Sequence, residues 1–249
     1  MSKPVALVTG ATSGIGRAIA KRLSADGFHI VCCGRDAQRG GEVVQAISEA
    51  GGAAEFRAFD ITDETAWRDV TTRAAERHGR LDLLVNCAGA FFSKPLPDTT
   101  LDEFRALWRT DVESVLLGTK WGLRAMRENG GAIINVSSLA ATVGLEDCAA
   151  YCAAKAAVTQ LSRVAATEGA ALPKPVRVNS LNPGVILTQM ITNAYGDNEA
   201  VRQFVMDGNA LMRVGLAEDI ANACAFLASA GARAITGAVM IVDGGRGAD

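Results

Sequence analysis

Histidine is scarce in this chain, whose 249 residues contain only two, His29 and His78. A histidine-rich metal site or a Ser-His-Asp hydrolase finds little support, because both chemistries depend on imidazole groups. The six cysteines form no C-x-x-C pair. Their spacing favours reduced, buried thiols in a cytoplasmic protein over a disulfide framework or a zinc site. We therefore predict that the protein binds no metal.

Long apolar runs and an excess of one charge are also missing. No stretch approaches the roughly 18 apolar residues of a membrane span, and residues 1–10 lack the pattern of a secretory signal. Lys and Arg total 25 against 27 Asp and Glu, so the chain lacks the basic excess that binds nucleic acid or membrane surfaces. These absences predict that the protein binds neither nucleic acid nor a membrane.

Apolar runs alternate with helical patterns along the whole chain. Strands are predicted at residues 5–8, 30–33, 55–59, 83–85, 132–136, 176–181 and 238–242. Helices are predicted at residues 15–25, 38–50, 65–76, 101–127, 149–171 and 216–228. This alternation predicts an α/β fold: a single-domain, Rossmann-type, doubly wound parallel sheet of about seven strands with helices on both faces. Residues 1–249 show no linker and are predicted to form one domain, with a substrate loop or lid at residues 185–214.

A glycine-rich segment follows the first predicted strand. Residues 9–16 have the sequence Thr-Gly-Ala-Thr-Ser-Gly-Ile-Gly. Glycine lets the backbone turn tightly and approach a pyrophosphate, and the helix that follows offers free N–H groups and its positive dipole end. In a first β-α-β unit, this pattern predicts a dinucleotide site, with an ordinary glycine-rich turn as the alternative.

The second predicted strand lacks the acidic residue that usually ends this strand in NAD-binding folds. It ends instead with Cys-Cys-Gly-Arg-Asp at residues 32–36. An acid there would bond the ribose 2′-hydroxyl of NAD, whereas Arg35 suits a 2′-phosphate and Gly34 leaves it room. We predict NADP(H) as the preferred cofactor, with NAD(H), bound through Asp36, as the alternative.

A serine, a tyrosine and a lysine in the second half of the chain form the next candidate site. Ser138 ends the fifth predicted strand, and Tyr151 and Lys155 lie four residues apart on one face of the next helix. A tyrosine can donate a proton to a carbonyl oxygen when a nearby cation lowers the pKa of its phenol. Ser138 can polarise the same oxygen. The Tyr-x-x-x-Lys pattern alone occurs in many helices by chance, so the prediction depends on the combination.

Together these motifs resemble the short-chain dehydrogenase/reductase family over essentially the whole chain. Residues 9–16 match T-G-x-x-x-G-x-G, and residues 86–89 match N-N-A-G with Cys87 in the second place. Residues 151–155 match Y-x-x-x-K, and residues 183–188 match P-G-x-x-x-T. Asp60 matches the acid that pairs with adenine. Five motifs in the same order are far more specific than any one of them.

The resemblance implies roles for the catalytic residues. Tyr151 is expected to act as general acid in reduction and as base in oxidation. Lys155 is expected to lower its pKa and to hold the nicotinamide ribose, and Ser138 to orient the substrate oxygen. The family forms dimers and tetramers, so the resemblance also implies a homotetramer or a homodimer.

The same resemblance implies a set of cofactor contacts. Asn86, Ala88 and Gly89 are expected to line the adenosine side and brace the sheet, and Ile186 and Thr188 to hold the carboxamide. The full set of predicted cofactor-binding residues is Gly10, Thr12, Ser13, Gly14, Ile15, Gly16, Arg35, Asp60, Ile61, Asn86, Ala88, Gly89, Tyr151, Lys155, Pro183, Gly184, Ile186 and Thr188.

Position 111 departs from the family pattern. The family usually has an Asn in the long central helix, and residues 110–115 here read Thr-Asp-Val-Glu-Ser-Val. The family Asn bonds a backbone carbonyl and a water that leads from the Lys, whereas an ionised Asp can only accept. Either Asp111 is protonated or the proton relay is arranged differently. We count Asp111 with the catalytic residues and predict that Asp111→Asn retains or raises activity.

The residues expected to face the substrate are mostly apolar: Phe91, Phe92, Ala140, Leu145, Val185, Met190, Ile191 and Tyr195. They favour a neutral ketone or secondary alcohol, alicyclic, aryl or steroid-like. The leading interpretation is therefore an NADP(H)-dependent ketoreductase or alcohol dehydrogenase. A 3-oxoacyl-[acyl-carrier-protein] reductase is the alternative among enzymes, and a non-catalytic NAD(P)-binding sensor is the alternative of another class.

Overall fold

A computed structural model of the protein describes residues 3–248. Within these residues, seven strands form one sheet in the order β3-β2-β1-β4-β5-β6-β7, and every pair of neighbours is parallel. The strands are β1 Val5–Thr9, β2 His29–Gly34, β3 Ala53–Ala58, β4 Leu83–Asn86, β5 Gly131–Val136, β6 Val176–Pro183 and β7 Val239–Val242. The predicted doubly wound α/β fold is confirmed.

Helices connect the strands and cover both faces of the sheet. They are α1 Gly14–Ala25, α2 Ala37–Glu49, α3 Glu64–His78, α4 Leu101–Trp108, α5 Ser114–Met126, α6 Ala149–Ala170, α7 Gln189–Tyr195, α8 Glu199–Asp207 and α9 Ala217–Ala228. Short helices α7 and α8 lie in the segment predicted as a lid. None of the helices described is long and apolar enough to cross a membrane.

Alternate residues of a buried strand pack against different faces of the sheet, as strand geometry requires. In β1, Ala6 and Val8 pack in a cluster with α1, α2 and α9. Val5 and Leu7 pack on the other face with α3, α5 and α6. Both faces are therefore covered, which explains why the strand sequences are apolar throughout.

The helix predicted at residues 101–127 is interrupted. A π-helical turn at Arg109–Glu113 separates α4 from α5. Such a turn inserts an extra residue into the helix and is frequent at functional sites. It contains Asp111, which is fully buried. Hydrophobic periodicity predicted the length of this segment correctly but could not reveal the turn within it.

The chain order of the strands reverses between β1 and β4, which are neighbours in the sheet. The loops after these two strands lead away in opposite directions and leave a crevice at the carboxyl ends of the strands. Ligands of open α/β sheets bind at such a crevice, so the fold by itself indicates where the site should be sought.

Candidate active site

A cavity of about 710 Å³ lies at the carboxyl ends of the strands, at the reversal of strand order. It brings together most of the residues that the sequence predicted. Those in its wall are Gly10, Thr12, Ser13, Gly14, Ile15, Gly16, Arg35, Asp60, Ile61, Ala88, Gly89, Ser138, Tyr151, Lys155, Pro183, Gly184, Ile186, Thr188, Met190 and Ile191. Widely separated segments of the chain therefore converge on one site.

One end of the cavity is formed by the first turn of α1. The N-cap residue, Ser13, is extended and makes no side-chain capping bond, and the first turn contains no acidic residue. The N–H groups of this turn are thus left for a ligand, together with the positive end of the helix dipole. These features fit the pyrophosphate of a dinucleotide.

Gly16 allows the close packing of this turn. A Cβ atom at Gly16 would lie 2.3 Å from the carbonyl oxygen of Gly10. We expect Gly16→Ala to destabilise the protein by about 1–3 kcal/mol, because the clash forces the backbone to move. It should also weaken NADPH binding at least about tenfold.

The matched control is Gly41→Ala in helix α2, where an added Cβ would meet nothing within 4 Å. That variant should keep or raise the melting temperature, since Ala favours helix over Gly. Thermal melts and fluorescence titrations with NADPH check both expectations. Equal melting temperatures and equal NADPH affinities of the two variants would contradict the close packing at Gly16.

Arg35 and Asp36 differ in how they face the cavity. Arg35 is exposed and forms part of its wall. Asp36 is the N-cap of α2: its side chain accepts a hydrogen bond from the Arg39 backbone N–H at 3.0 Å and pairs with the Arg39 guanidinium at 3.3 Å. The carboxylate of Asp36 is therefore engaged at the helix end.

Asp60 lies in the same wall. Its Oδ1 accepts hydrogen bonds from the backbone N–H and the hydroxyl of Thr62, each at 2.9 Å. These bonds, with smaller contributions from Arg35 and Arg109, lower the pKa of the Asp60 carboxyl. Arg109, in the π-helical turn, lines the cavity and was not predicted, because nothing in the sequence distinguishes it from other helical arginines.

Ser138, Tyr151 and Lys155 meet at the other end of the cavity. Tyr151 and Ser138 both lie in the wall of the cavity. The Lys155 Nζ lies 5.4 Å from the centre of the Tyr151 ring. The Phe91 ring packs edge-on against Tyr151, with ring centres 5.0 Å apart. The arrangement has a proton donor, a second hydroxyl and a cation around one position, which suits proton transfer to a carbonyl oxygen.

The pKa of Tyr151 is raised rather than lowered. Burial of the phenol is the largest cause; Lys155 opposes it, and Asp111 adds to it. As expected, Lys155 by itself lowers the pKa of Tyr151. Burial of the phenol raises this pKa by more, so the pKa lies above that of a free tyrosine. A phenol with a raised pKa stays protonated at neutral pH and can serve as an acid in ketone reduction.

Asp111 contacts the lysine directly. Its Oδ2 lies 2.9 Å from the Lys155 Nζ, and its Oδ1 accepts a hydrogen bond from the Ala90 N–H at 2.7 Å. Both side chains are buried, Asp111 completely and Lys155 to all but 6%. Burial is the largest single influence on Lys155 and opposes its charge, but Asp111 together with Tyr151 more than offsets burial, so the pKa of Lys155 is raised. The Asp111 Oδ1 thus accepts one hydrogen bond, and its Oδ2 is held by the ion pair without a hydrogen bond of its own.

Asn86 has a structural place and does not line the cavity. Its Nδ2 donates to the Asn135 Oδ1 at 2.8 Å, inside a buried polar group that includes Thr119 and Ser162. Thr9 supports the neighbouring loop, because its hydroxyl accepts from the backbone N–H groups of residues 87 and 88. Of the two roles predicted for Asn86, bracing the sheet is the one that its contacts match.

The predicted substrate residues are only partly in the wall of the cavity. Met190 and Ile191 line it, whereas Val185 lines a separate cavity of about 500 Å³. Ala140 is almost completely buried. The residues outside the wall of the main cavity are Phe91, Phe92, Ala140, Leu145, Val185 and Tyr195. Phe91 packs between Tyr151 and Tyr195, edge-on to the first ring and tilted to the second, so these aromatic rings still border the catalytic end.

Further residues in the wall of the cavity were not predicted as contacts. Some carry no distinctive chemistry, and others are neighbours of predicted residues. They are Gly34, Phe59, Thr62, Cys87, Ala90, Ala106, Arg109, Thr110, Val136, Ser137 and Gln189. Only the positions next to a recognised motif, such as Cys87 and Ser137, could have been found from the sequence.

Both histidines lie away from this cavity, beside Glu55. The Nε2 of His78 is 3.1 Å from one carboxylate oxygen, and the rings of His29 and His78 are 4.3 Å apart. Arg57 and Arg77 pair with the other oxygen at 2.9 and 3.0 Å. Two guanidinium groups on this carboxylate disfavour a bound metal cation there.

Known proteins resemble this chain over nearly its whole length. The family described as Enoyl-(Acyl carrier protein) reductase matches residues 10–246. The NADP-dependent (R)-specific alcohol dehydrogenase of Lentilactobacillus kefiri is 36% identical, over 97% of this chain and 95% of its own. The cis-4-hydroxycyclohexanecarboxylate dehydrogenase of Sinomonas cyclohexanicum is 39% identical, over 97% of this chain and 95% of its own.

A solved structure shows the same likeness. A 7α-hydroxysteroid dehydrogenase complexed with NADH and 7-oxo glycochenodeoxycholic acid superposes with a TM-score of 0.91 at 32% identity, covering 97% of this chain and 93% of the other. The fold and cavity define an enzyme of the nicotinamide-dependent oxidoreductase class. The chain belongs to the short-chain dehydrogenase/reductase family, whose relatives here are dehydrogenases that act on alcohols.

Proposed function

We propose that the protein transfers a hydride between NADP(H) and a neutral ketone or secondary alcohol, with Tyr151 as general acid in reduction and general base in oxidation. The observation that carries the proposal is the convergence of Ser138, Tyr151 and Lys155 at one end of a cavity whose other end is the uncapped first turn of α1. A dinucleotide needs both ends: donors for its phosphates and a reacting centre at its nicotinamide.

The cofactor site fits the residues present. The N–H groups at the start of α1 would hold the pyrophosphate, and Asp60 would pair with the adenine. Lys155 would hold the nicotinamide ribose, and Ile186 and Thr188 the carboxamide. When bound, the cofactor supplies the hydride that adds to the carbonyl carbon.

NADP(H) is proposed over NAD(H) because of the charges near the adenosine end. Arg35 lies in the wall of the cavity, and Arg109 lies there too. The carboxylate of Asp36, which could have bound a ribose hydroxyl, caps α2 instead. A 2′-phosphate would thus meet cationic groups rather than a free acid.

The proton step follows from the catalytic end. In reduction, the Tyr151 O–H gives its proton to the substrate oxygen as the hydride arrives at carbon, so a ketone becomes a secondary alcohol. Ser138 would donate a hydrogen bond to the same oxygen and stabilise its developing charge. In oxidation the same proton returns from the alcohol to the phenolate.

The substrate side is apolar and aromatic, which favours an uncharged alicyclic, aryl or steroid-like ketone. Met190 and Ile191 lie in α7, within the segment at residues 185–214 that we propose as a lid over the substrate. Phe91 and Tyr195 extend this apolar surface away from Tyr151. Residues 1–249 are proposed to act as one catalytic domain.

A substrate panel tests the proposal. Purified protein should oxidise NADPH with cyclic and aryl ketones, at kcat/KM values at least about tenfold above those for acyl thioesters of 3-oxo acids. Turnover of thioesters alone would favour a 3-oxoacyl-[acyl-carrier-protein] reductase. Tight NADPH binding without turnover of any carbonyl compound would favour a nucleotide-binding sensor.

The assembly is proposed to be a homotetramer or homodimer. Leu116 on α5 and Val164 on α6 are exposed apolar side chains, and such faces favour helix pairing between subunits. Light scattering on the purified protein checks this: the mass should be two or four times 25.9 kDa.

A further inference from the structure

Asp111 does not line the cavity, yet it forms an ion pair with the lysine next to Tyr151. We propose that Asp111 is a positioning residue, which fixes the Lys155 ammonium and sets the pH range over which Tyr151 can accept a proton from an alcohol. This inference rests on the proposed role of Tyr151. It replaces the expectation that Asp111 is itself catalytic.

The geometry gives Asp111 two separate tasks. The Oδ1 accepts from the Ala90 N–H at 2.7 Å, which ties the loop after β4 to the π-helical turn. The Oδ2, 2.9 Å from the Lys155 Nζ, balances the charge of the ammonium. An asparagine could accept the backbone bond through its carbonyl oxygen, but it could not supply the negative charge.

Gly89 shows how closely the loop packs on this pair. A Cβ there would lie 3.2 and 3.3 Å from the two carboxylate oxygens of Asp111 and 3.4 Å from the Lys155 Nζ. The backbone of the loop thus excludes other groups from the pair on this side. In such a buried position the two charges are weakly screened, so each acts strongly on neighbouring groups.

Tyr151 is acted on by both charges of the pair: Lys155 lowers the pKa of its phenol, and Asp111 partly offsets that effect. The titratable or charged groups that act on it are Lys155, Asp111 and Cys148. Burial raises the pKa of Cys148, and it raises that of Cys87, beside Lys155, to about 12, so both thiols stay neutral. Asp111 is therefore the anion that offsets the lysine.

The phenolate of Tyr151 is disfavoured by a nearby negative charge, so Asp111 contributes to the raised pKa of this tyrosine. Reduction, which needs the protonated phenol, is then sustained at neutral and alkaline pH. Oxidation, which needs the phenolate, is confined to more alkaline conditions than it would be with an uncharged residue at position 111.

The first test is the pH dependence of Asp111→Asn. The alkaline rise of kcat/KM for alcohol oxidation should move to lower pH by about one unit. Oxidation at pH 7 should then become about three- to tenfold faster, and reduction at that pH should change by less than about threefold. The matched control is Glu113→Gln, which removes an exposed carboxylate from the same turn and should leave the profile unchanged.

A second readout needs no turnover. The chain has two tyrosines, so protein labelled with ζ-¹³C tyrosine gives two NMR signals, and Tyr195→Phe assigns them. The Tyr151 signal of Asp111→Asn should titrate about one pH unit below that of the unsubstituted protein, with circular dichroism confirming that both are folded. Tyr195 should titrate alike in both proteins.

The outcomes separate the two proposals. The electrostatic role is overturned if Asp111→Asn and the unsubstituted protein show the same pH profile and the same Tyr151 titration. Asp111 would then be only a structural anchor for Ala90. Absence of turnover with every carbonyl compound, together with a shifted Tyr151 titration, would contradict the proposed function but support the role of Asp111.

Discussion

Replacing Tyr151 by phenylalanine is expected to lower kcat for ketone reduction by about 1,000-fold, within the range for loss of a general acid. The substitution removes one hydroxyl from a side chain that packs edge-on against Phe91. The ring remains, so the packing should persist. Steady-state kinetics with NADPH and a cyclic ketone gives kcat, and fluorescence titration gives the Kd for NADPH.

The binding measurement distinguishes chemistry from site collapse. We expect the Kd for NADPH to change by less than about fivefold, since most of the cofactor contacts lie elsewhere in the cavity. Tyr195→Phe removes the hydroxyl of the only other tyrosine and should reduce kcat by less than about tenfold. A Tyr151→Phe variant that keeps more than a tenth of the kcat would show that another group donates the proton.

Replacing Arg35 by alanine is expected to raise KM for NADPH by about 10- to 100-fold and to change KM for NADH by less than about threefold. The reason is that a charge-assisted hydrogen bond to a 2′-phosphate contributes about 1.5–3 kcal/mol. Only NADPH has that phosphate. Parallel kinetics with the two cofactors at one ketone concentration measures the change in preference.

Arg68→Ala is the control, because this exposed arginine pairs with Asp69 on helix α3, outside the wall of the cavity. It should leave both KM values unaltered. A preference of the unsubstituted protein for NADH over NADPH would contradict this account. Arg35 would then be a solvated loop residue, and Asp36 would have to leave its capping position on α2 to bind the ribose.

The fold was predicted well because strands and helices are each indicated by a local pattern of apolar residues. Apolar runs identify strands that are buried on both faces, such as β1, and the spacing of apolar residues identifies helices such as α6. Most predicted ends lie within two residues of those observed. For β3, the partly exposed pattern is less distinct, and Ala53–Ala58 begins two residues before the predicted strand.

Only the part of the site that lies in recognisable motifs at strand ends could be predicted from the sequence. The glycine-rich turn, Ser138, Tyr151 and Lys155 occupy fixed places relative to strand ends, so their convergence followed from a parallel sheet. The ion pair of Asp111 with Lys155 did not, because it depends on the π-helical turn, and no periodicity marks an inserted residue. The substrate side carries no motif, so its contacts stay a prediction; among the residues predicted there, Val185 lines a different cavity.

Transfer of a labelled hydride tests the central claim most directly. The protein is incubated with NADPH carrying two deuterium atoms at C4 of the nicotinamide and with a cyclic ketone that it turns over. Mass spectrometry of the alcohol should show one deuterium, on the carbinol carbon, and Tyr151→Phe should form at least about 100-fold less labelled product. An alcohol without deuterium, or undiminished labelling by Tyr151→Phe, would contradict hydride transfer assisted by Tyr151.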